Sequence, residues 1–338
     1  MIFSKQIFKE DQTNSGSNTL AFTTLIIALI ALSITAILIR ICLEESSPNT
    51  IVFDRLWVAT LCFGLWNGFS QLRIQISNQS SEPEKESPKS ESIYDLGNIF
   101  LLVIVGISHL SGRLLWTISL GETSVANANV LGALTPLFVT LGAWLFLKQR
   151  FDGRFLFGLF LAIVGTATLA YEDFFKSNSS FLGDSIALSS ALFYSINFLT
   201  LEKLRNKFSV EKILLWRCFL GAILMLPVVL IFEDQYFPIS LTGWLTIICL
   251  AVICEVVGHG LVVYSLKHFS SSFVSLVLLL DPIVAAILAW ILFAENLSLF
   301  NILGFAVIMQ GIYLAKTGQG SQKSNDTETT EETISETA

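Results

Sequence analysis

The chain has 338 residues, of which 53% are hydrophobic and 14% are charged, and its mean hydropathy is +0.68. Soluble domains carry about 25% charged residues, so this composition excludes a soluble multidomain protein. The formal net charge is −7, and −5 of it comes from residues 73–95 and 316–338. Both segments are rich in Ser, Thr, Glu and Asn, a composition typical of solvated disorder, so the excess acid says little about the apolar part.

Apolar stretches recur along the chain, each of about 20 residues, the length that crosses a hydrocarbon core of about 30 Å. Hydropathy in windows of about 19 residues predicts ten membrane-spanning helices. They lie near residues 20–40, 51–72, 97–119, 124–147, 155–171, 181–201, 211–232, 241–264, 270–294 and 299–316. No obvious cleavage site follows the first stretch, so we expect it to be retained as a span.

Lysine and arginine residues are distributed unevenly between the predicted loops. With the N-terminus inside, fifteen of them fall on the cytoplasmic side, against at most three, Arg40, Arg55 and Lys176, on the other. Positively charged loops resist translocation across the membrane. We therefore expect both termini, and the acidic insert at 73–95, to face the cytoplasm.

The second half of the chain repeats the first. An offset of 146 residues aligns Pro136 with Pro282, and before residue 73 an offset of 162 aligns Arg55 with Arg217. The pairs that also match at 146 include Gly97 and Gly243, Gly112 and Gly258, Trp144 and Trp290, Gly158 and Gly304, and Gly165 and Gly311. Each unit has five spans, an odd number, so the two copies enter the membrane from opposite sides. Inverted repeats of this kind are typical of secondary transporters.

The repeat sets the domain boundaries that we expect. Residues 1–18 form a disordered cytoplasmic N-terminus, and residues 19–171 form the first five-helix unit, which carries the insert at 73–95. Residues 181–316 form the second five-helix unit, and residues 317–338 form a disordered acidic cytoplasmic tail. The predicted fold class is an all-α integral membrane protein with ten transmembrane helices in two inverted-topology repeats.

Two segments of the sequence resemble the two EamA-type units of the drug/metabolite transporter superfamily. They read TSVANANVLGALTPLFVTLGAWLFLKQR and SSFVSLVLLLDPIVAAILAWILFAEN, and two glycines seven residues apart follow each. The residues that fit the family pattern are Pro136, Pro282, Trp144, Trp290, Glu295, Arg55 and Arg217. Gln149 stands where the first unit commonly has Glu, and residues 20–40 lack the aromatic motif common in the family's first helix.

The resemblance covers about residues 20–316. It implies a ten-helix secondary carrier, commonly an exporter of metabolites. It also implies a location in the cytoplasmic membrane of a bacterium, that is the cell membrane, or in a related organelle membrane.

Four ionisable residues lie inside two equivalent spans. His109 and Arg113 are in the third span, and the offset of 146 aligns them with Glu255 and His259 in the eighth. The i,i+4 spacing places each pair on one helix face, and ionisable groups in a membrane interior usually mark a transport pathway. We expect the four to line a central substrate-binding cavity, where Arg113 holds an anionic group and Glu255 and His109 exchange protons. The alternative is a structural ion pair between Arg113 and Glu255, with the histidines packed as hydrogen-bonding groups.

Two further substrate-binding candidates lie near the paired prolines. Asp281 immediately precedes Pro282, and Asn127 is in the same span as Pro136. Because proline interrupts the hydrogen bonding of a helix, polar residues beside it can line a broken-helix binding site. The alternative is a kink needed only for packing.

The remaining paired residues are given structural roles. Arg55 and Arg217 lie about one turn inside their helices, so we expect them to reach the membrane interface, with gating contacts as the alternative. The glycines at 158, 165, 304 and 311 are expected to allow close helix packing, since small residues let backbones approach in lipid.

No motif indicates a cofactor or a metal, because the cysteines and histidines are too scattered and the GxxxxGK[ST] phosphate loop is absent. We expect a secondary transporter, an exporter of small polar metabolites such as amino acids or related compounds, working by alternating access around a midplane site. The alternatives are a facilitative metabolite or nucleotide exchanger without ion coupling, and a membrane-embedded lipid-modifying enzyme. No catalytic constellation favours the enzyme. A small-molecule substrate and the lipid bilayer are the expected partners, with no nucleic acid, while a homodimer and proton coupling are left open.

Overall fold

The computed structural model describes residues 20–79, 95–169, 180–293 and 298–322. Within these ranges a helix stands at each of the ten predicted positions. The helices are α1 Leu20–Cys42, α2 Pro48–Gln79, α3 Leu96–Glu122, α4 in the segments Val125–Gly132 and Thr135–Phe146, α5 Gly153–Leu169, α6 Phe181–Arg205, α7 Val210–Phe232, α8 Leu241–Ser265, α9 in the segments Ser271–Val277, Leu278–Leu280 and Asp281–Phe293, and α10 Leu299–Thr317. The predicted N-terminal segment and most of both the acidic insert and the tail lie outside the described residues.

Seven helices of the described residues are long and apolar enough to cross a membrane, namely α1, α3, α4, α7, α8, α9 and α10. Helix α5 is apolar but has only 17 residues. The large apolar side chains exposed on the outside of the bundle include Leu65, Phe100, Phe160, Ile231 and Ile302. The all-α membrane fold is therefore confirmed, while the crossing of the membrane by α2, α5 and α6 stays a prediction.

Helices α4 and α9 are both broken at the same place in their units. The first segment of α4 ends at Gly132 and the second begins at Thr135, so Pro136 is the second residue of a new segment. In α9 a short 3₁₀ turn over Leu278–Leu280 precedes the segment that contains Pro282. A proline ring clashes with the carbonyl of the preceding turn and offers no N–H. The prolines therefore start new helical segments instead of kinking a continuous span at its centre.

Helix α8 contains a stretch of π-helix over Leu250–Gly258, between two α-helical segments. Wide turns of this kind are rare and are frequently found at functional sites. In the described residues the equivalent helix α3 is a continuous α-helix from Leu96 to Glu122. The two units therefore differ locally, and the difference lies around Glu255.

The two units meet around a pseudo-twofold axis, most clearly where α5 packs on α10. A Cβ atom added to Gly158 would collide with the carbonyl oxygen of Gly311, and one added to Gly311 would collide with that of Gly158. A Cβ on Gly165 would lie 3.1 Å from the carbonyl oxygen of Gly304, and the reverse distance is 3.0 Å. These reciprocal contacts confirm the packing role predicted for the four glycines. Helices α2 and α7, another equivalent pair, also pack against each other.

Candidate functional site

Three arginines from three helices surround one glutamate. Nη2 of Arg55 and Nη1 of Arg113 lie 2.5 Å and 2.9 Å from Oε1 of Glu255. Nη2 of Arg217 lies 3.0 Å from the other carboxylate oxygen, Oε2, and Nε2 of His259 lies 3.8 Å from the same atom. Helices α2, α3, α7 and α8 thus meet at a single carboxylate, and we call Arg55, Arg113 and Arg217 the arginine cluster.

The arginine cluster is almost completely buried. The exposed side-chain fractions are 3% for Arg55, 1% for Arg217 and 0% for Glu255, whereas Arg113 keeps 13%. An arginine remains charged in proteins, so the three guanidinium groups and one carboxylate leave two positive charges in excess when the histidines are neutral. Burying a charge costs several kcal/mol per ion unless partners offset it. A site with this imbalance is therefore costly as a purely structural feature.

The two histidines face each other beside the arginine cluster. The ring centroids of His109 and His259 are 5.4 Å apart with an interplanar angle of 88°. The ring centroid of Tyr194 on α6 lies 6.4 Å from that of His109. Nε2 of His109 is buried and has no hydrogen-bond partner among the described residues, and the same is true of Nε in Arg55 and Arg217. Buried polar groups left without partners cost free energy. The site therefore offers unused nitrogen atoms in its interior.

A metal is disfavoured at this position by the charge around it. One ligand atom each of His109, Glu255 and His259 lie within 4.8 Å of one another, a spacing that could suit a cation. Both oxygens of Glu255, however, already contact guanidinium groups. Those groups would repel a divalent cation, so the geometry alone does not make this a metal site.

Four of the six candidates from the sequence come together in the structure. His109, Arg113, Glu255 and His259 form one group around the carboxylate, and Arg113 contacts Glu255 directly. Their alignment by the repeat and their i,i+4 spacing are the features that predicted this arrangement. Whether they line a substrate cavity stays a prediction.

The other two candidates have partners elsewhere. Nδ2 of Asn127 donates to Oδ1 of Asp184 on α6 at 3.2 Å. Asp281, at the break in α9, accepts a hydrogen bond of 2.5 Å from Oγ of Ser33 on α1. Each residue thus ties a broken helix to a neighbour, and neither is a partner of the arginine cluster.

The interpretation of Arg55 and Arg217 as residues that reach the membrane interface is wrong. The two residues are 2% and 1% exposed, and both contact Glu255. Because α2 and α7 pack on each other across the pseudo-axis, equivalent residues on their facing sides approach a common point. The offset of 162 that aligns the two arginines was the signal that could have found them.

Glycines bring a neighbouring side chain close to each half of the site. A Cβ on Gly112 would lie 3.2 Å from the ring of Tyr194, and one on Gly258 would lie 2.9 Å from the side chain of Leu32. The offsets of 146 and 162 relate these two contacts to each other. The two contacts therefore share their geometry but differ in chemistry. The contact at Gly112 brings in the hydroxyl-bearing Tyr194, which lies beside Arg113, and the contact at Gly258 brings in the apolar Leu32.

One end of the bundle is held by a polar contact between α3, α4 and α6. Oδ1 of Asp184 accepts hydrogen bonds from Oγ1 of Thr123 at 2.6 Å and from Nδ2 of Asn127 at 3.2 Å. Asp184 is in the first turn of α6, and Thr123 and Asn127 lie on either side of the start of α4. We call these three residues the Asp184 contact.

A second polar contact holds the opposite ends of the same helices. Glu202 of α6 accepts from Nε2 of Gln149 at 2.6 Å and from the backbone N–H of Ser271 at 2.8 Å. It thereby joins the end of α4 to the start of α9, and its side chain is buried. We call these residues the Glu202 contact.

The residues of the Asp184 contact are equivalent, by the repeat, to three aromatic residues. Thr123, Asn127 and Asp184 correspond by the two offsets to three phenylalanines of the opposite end of the bundle, Phe269, Phe273 and Phe22. The ring centroids of these phenylalanines are 5.3 to 6.5 Å apart. Equivalent positions at the two ends of the bundle thus make different contacts, hydrogen bonds at one end and aromatic packing at the other.

Comparison with known proteins identifies the family. The EamA-like transporter family matches residues 19–171 and 181–317 of the chain. An uncharacterized transporter of Bacillus subtilis (strain 168) is 25% identical over 268 residues, which are 79% of this chain and 81% of that protein. An Escherichia coli (strain K12) protein named "Probable amino-acid metabolite efflux pump" is 25% identical over 206 residues, 58% of this chain and 69% of its own.

A solved crystal structure shares the fold. It matches with a TM-score of 0.70 at 14% sequence identity and covers 88% of this chain and 96% of its own. An uncharacterized transporter of Archaeoglobus fulgidus, 23% identical over 290 residues, covers 84% of this chain and 92% of that protein. The predicted family is thus confirmed, and with its two matched units and its apolar helices this chain is a multi-pass membrane transporter that belongs to the EamA-like transporter family.

Proposed function

We propose that this protein is a secondary transporter that exports small polar metabolites, such as amino acids or related compounds, across the cell membrane. The arginine cluster is the observation that carries the proposal. It is a charged, buried site near the middle of α3 and α8, with α2 and α7 on its other sides. Ionisable groups in a membrane interior are costly and commonly mark the path of a substrate or ion.

The arrangement around the site supports alternating access as the mechanism. The two units are related by a pseudo-twofold axis, and transporters built this way rock one unit against the other around a fixed site. The Asp184 contact and the Glu202 contact lie at opposite ends of α6. In alternating access the hydrogen bonds of one contact would break while those of the other stay formed, so that the site opens to one side of the membrane at a time. The breaks before Pro136 and Pro282 supply the points at which α4 and α9 could bend.

The direction and the substrate class rest on relatives. The Escherichia coli relative is named as a probable amino-acid metabolite efflux pump, and we extend that activity to this chain as a proposal. A positively charged site is compatible with the carboxylate of an amino acid, which Arg113, the most exposed member of the arginine cluster, would contact first.

Proton coupling is the open part of the mechanism. Glu255 and His109 are the groups that could carry a proton, but both oxygens of Glu255 are engaged by guanidinium groups. This engagement favours a fixed counter-ion and therefore supports facilitative exchange as a second candidate. If transport by Glu255→Gln kept the pH dependence of the wild type in proteoliposomes, the proton role of Glu255 would be abandoned.

The test of transport uses the full chain in proteoliposomes and a panel of labelled amino acids and related metabolites. We expect saturable movement of at least one anionic or zwitterionic compound. Arg113→Ala should reduce it by about tenfold or more, because a hydrogen bond to a charged group contributes about 1.5–3 kcal/mol. Arg154→Ala, which changes an exposed arginine in the first turn of α5, is the matched control. Equal transport by wild type and Arg113→Ala would contradict the proposed site.

A further inference from the structure

We propose that the arginine cluster binds a compact dianion, a dicarboxylate or a phosphate monoester, next to Glu255. This inference rests on the proposed transport function and narrows its substrate class from small polar metabolites to anions with two charges.

The first support is the charge balance of the buried site. The guanidinium groups of Arg55, Arg113 and Arg217 contribute three positive charges, and Glu255, which all three contact, contributes one negative charge. Ion groups buried for stability are expected to be paired, since an uncompensated buried charge is strongly destabilising. A ligand with two negative charges would bring the site to neutrality, whereas a neutral or cationic ligand would not.

The neighbouring acids do not supply the missing charge by contact. Oδ1 of Asp54 accepts a hydrogen bond of 2.9 Å from Nε1 of Trp57, one turn along the same helix. Asp281 accepts its hydrogen bond from Ser33. Among the described residues Glu255 is the only acid in an ion pair with the arginine cluster.

The second support is the set of buried nitrogen atoms that have no partner. Nε of Arg55, Nε of Arg217 and Nε2 of His109 are all buried and without a hydrogen-bond partner among the described residues. The three residues are 2%, 1% and 4% exposed. Each guanidinium has five N–H donors in a fixed fork that suits carboxylate and phosphate oxygens. The Nε–H groups of the two arginines are thus desolvated and unused donors, and such donors point to an acceptor-rich ligand.

The carboxylate of Glu255 shows what kind of group the arginine cluster accommodates. One oxygen accepts from Arg55 and Arg113, and the other from Arg217 at 3.0 Å. An incoming dianion would share these arginines with Glu255, and Arg113 is the member open to it, with 13% of its side chain exposed. The hydroxyl oxygen of Tyr194 accepts a hydrogen bond from Arg113 and keeps its own O–H as a further donor.

The experiment measures ligand binding to the purified full-length chain, by thermal stabilisation and by tryptophan fluorescence at constant ionic strength. The probes are succinate and glycerol 3-phosphate as dianions, acetate as a monoanion, glycerol as a neutral compound and putrescine as a cation. We expect saturable binding of succinate, glycerol 3-phosphate or both, with an affinity at least about tenfold higher than that for acetate. One added charge-assisted hydrogen bond is enough to raise the affinity about tenfold. The two dianions distinguish a dicarboxylate site from a phosphate site.

Variants decide whether the binding depends on the charge of the arginine cluster. Arg113→Gln lowers the excess to one positive charge, so dianion affinity should fall by about tenfold or more while acetate changes less. Arg113→Lys keeps the charge and should retain part of the affinity, and Arg154→Gln on the surface should bind as the wild type. Arg217→Gln gives a second measurement if Arg113→Gln does not fold.

Three binding results would overturn the inference. They are equal binding of acetate and the dianions, unchanged dianion binding in both Arg113→Gln and Arg217→Gln, and binding of putrescine or glycerol in preference to the anions. Transport of a neutral or cationic metabolite without any dianion binding would also overturn it and leave the proposed transport function standing. Absence of transport for every compound, with dianion binding intact, would instead contradict the proposed function alone.

Discussion

Glu255 is the carboxylate that the three buried guanidinium groups of the arginine cluster share, and its side chain has no exposed surface. Glu255→Gln keeps the size of the side chain but removes the only counter-charge that contacts the cluster in the described part of the chain. Because breaking a buried ion pair from one side costs about 3–5 kcal/mol, we expect a clear drop in the temperature of thermal unfolding. Intrinsic fluorescence of the purified protein in detergent would measure it.

The control for this change is Glu122→Gln, which alters an exposed acid at the end of α3 and should leave the unfolding temperature nearly unchanged. The double variant Glu255→Gln with Arg217→Gln removes one of the three uncompensated charges. It should therefore unfold at a higher temperature than Glu255→Gln alone. An unfolding temperature of Glu255→Gln equal to that of the wild type would show that the carboxylate is not the main counter-ion of the cluster.

The sequence could predict only part of this site. His109 and Glu255 were found because ionisable residues stand out in apolar helices and because the repeat aligns them. Arg55 and Arg217 were aligned too, but the position of a residue along a helix does not tell which neighbour it faces. Asn127 was selected for sharing a span with a proline, whereas its partner, Asp184, depends on how α4 packs against α6.

At the scale of helices, close backbone approach between α5 and α10 holds the two units together. Gly158→Ala would place a Cβ atom against the carbonyl oxygen of Gly311 and 2.6 Å from the backbone nitrogen of Ala315. Neither backbone atom can move without shifting α10, and overpacking of this kind costs about 1–3 kcal/mol. We therefore expect a lower unfolding temperature and a lower yield of monodisperse protein on size-exclusion chromatography.

Gly68→Ala is the matched control, because it makes the same chemical change in α2 where a Cβ would meet nothing within 4 Å. Alanine is a better helix former than glycine by about 1 kcal/mol, so this variant should be as stable as the wild type or slightly more stable. Equal destabilisation by the two substitutions would mean that the effect comes from the loss of glycine itself and not from helix contact.

The positions of the helices were predictable, and their internal breaks only partly so. Hydropathy located all ten helices, and the seven that are long and apolar enough to cross a membrane are the ones that the requirement of lipid for internally satisfied backbones makes easiest to predict. Pro136 and Pro282 indicated where α4 and α9 are irregular, although the breaks fall just before the prolines. The π-helical stretch Leu250–Gly258 has no proline, and nothing in its local sequence distinguishes it from an ordinary apolar helix. Its geometry depends on the packing around α8.

At the scale of the whole molecule, the inverted relation of the two units depends on the number of spans in each. The reciprocal glycine contacts of α5 and α10 and the pairing of α2 with α7 fit two units related by a twofold axis, which in inverted repeats lies in the membrane plane. Such an axis requires an odd number of crossings per unit. We therefore expect helices α2, α5 and α6, which are the least apolar or the shortest, to cross the membrane as well.

The orientation of the chain tests this requirement. Five crossings in the first unit would put the segment around Lys176 opposite to the N-terminus, and ten crossings would return the C-terminus, Ala338, to the side where the chain began. The excess of lysine and arginine in the predicted loops on that side predicts that it faces the cytoplasm. Green fluorescent protein fused after Ala338 should fluoresce and alkaline phosphatase fused there should be inactive, while both readouts should be reversed for fusions after Lys176. If the two sites reported the same side, the second unit would cross the membrane an even number of times, and neither the inverted repeat nor alternating access built on it could hold.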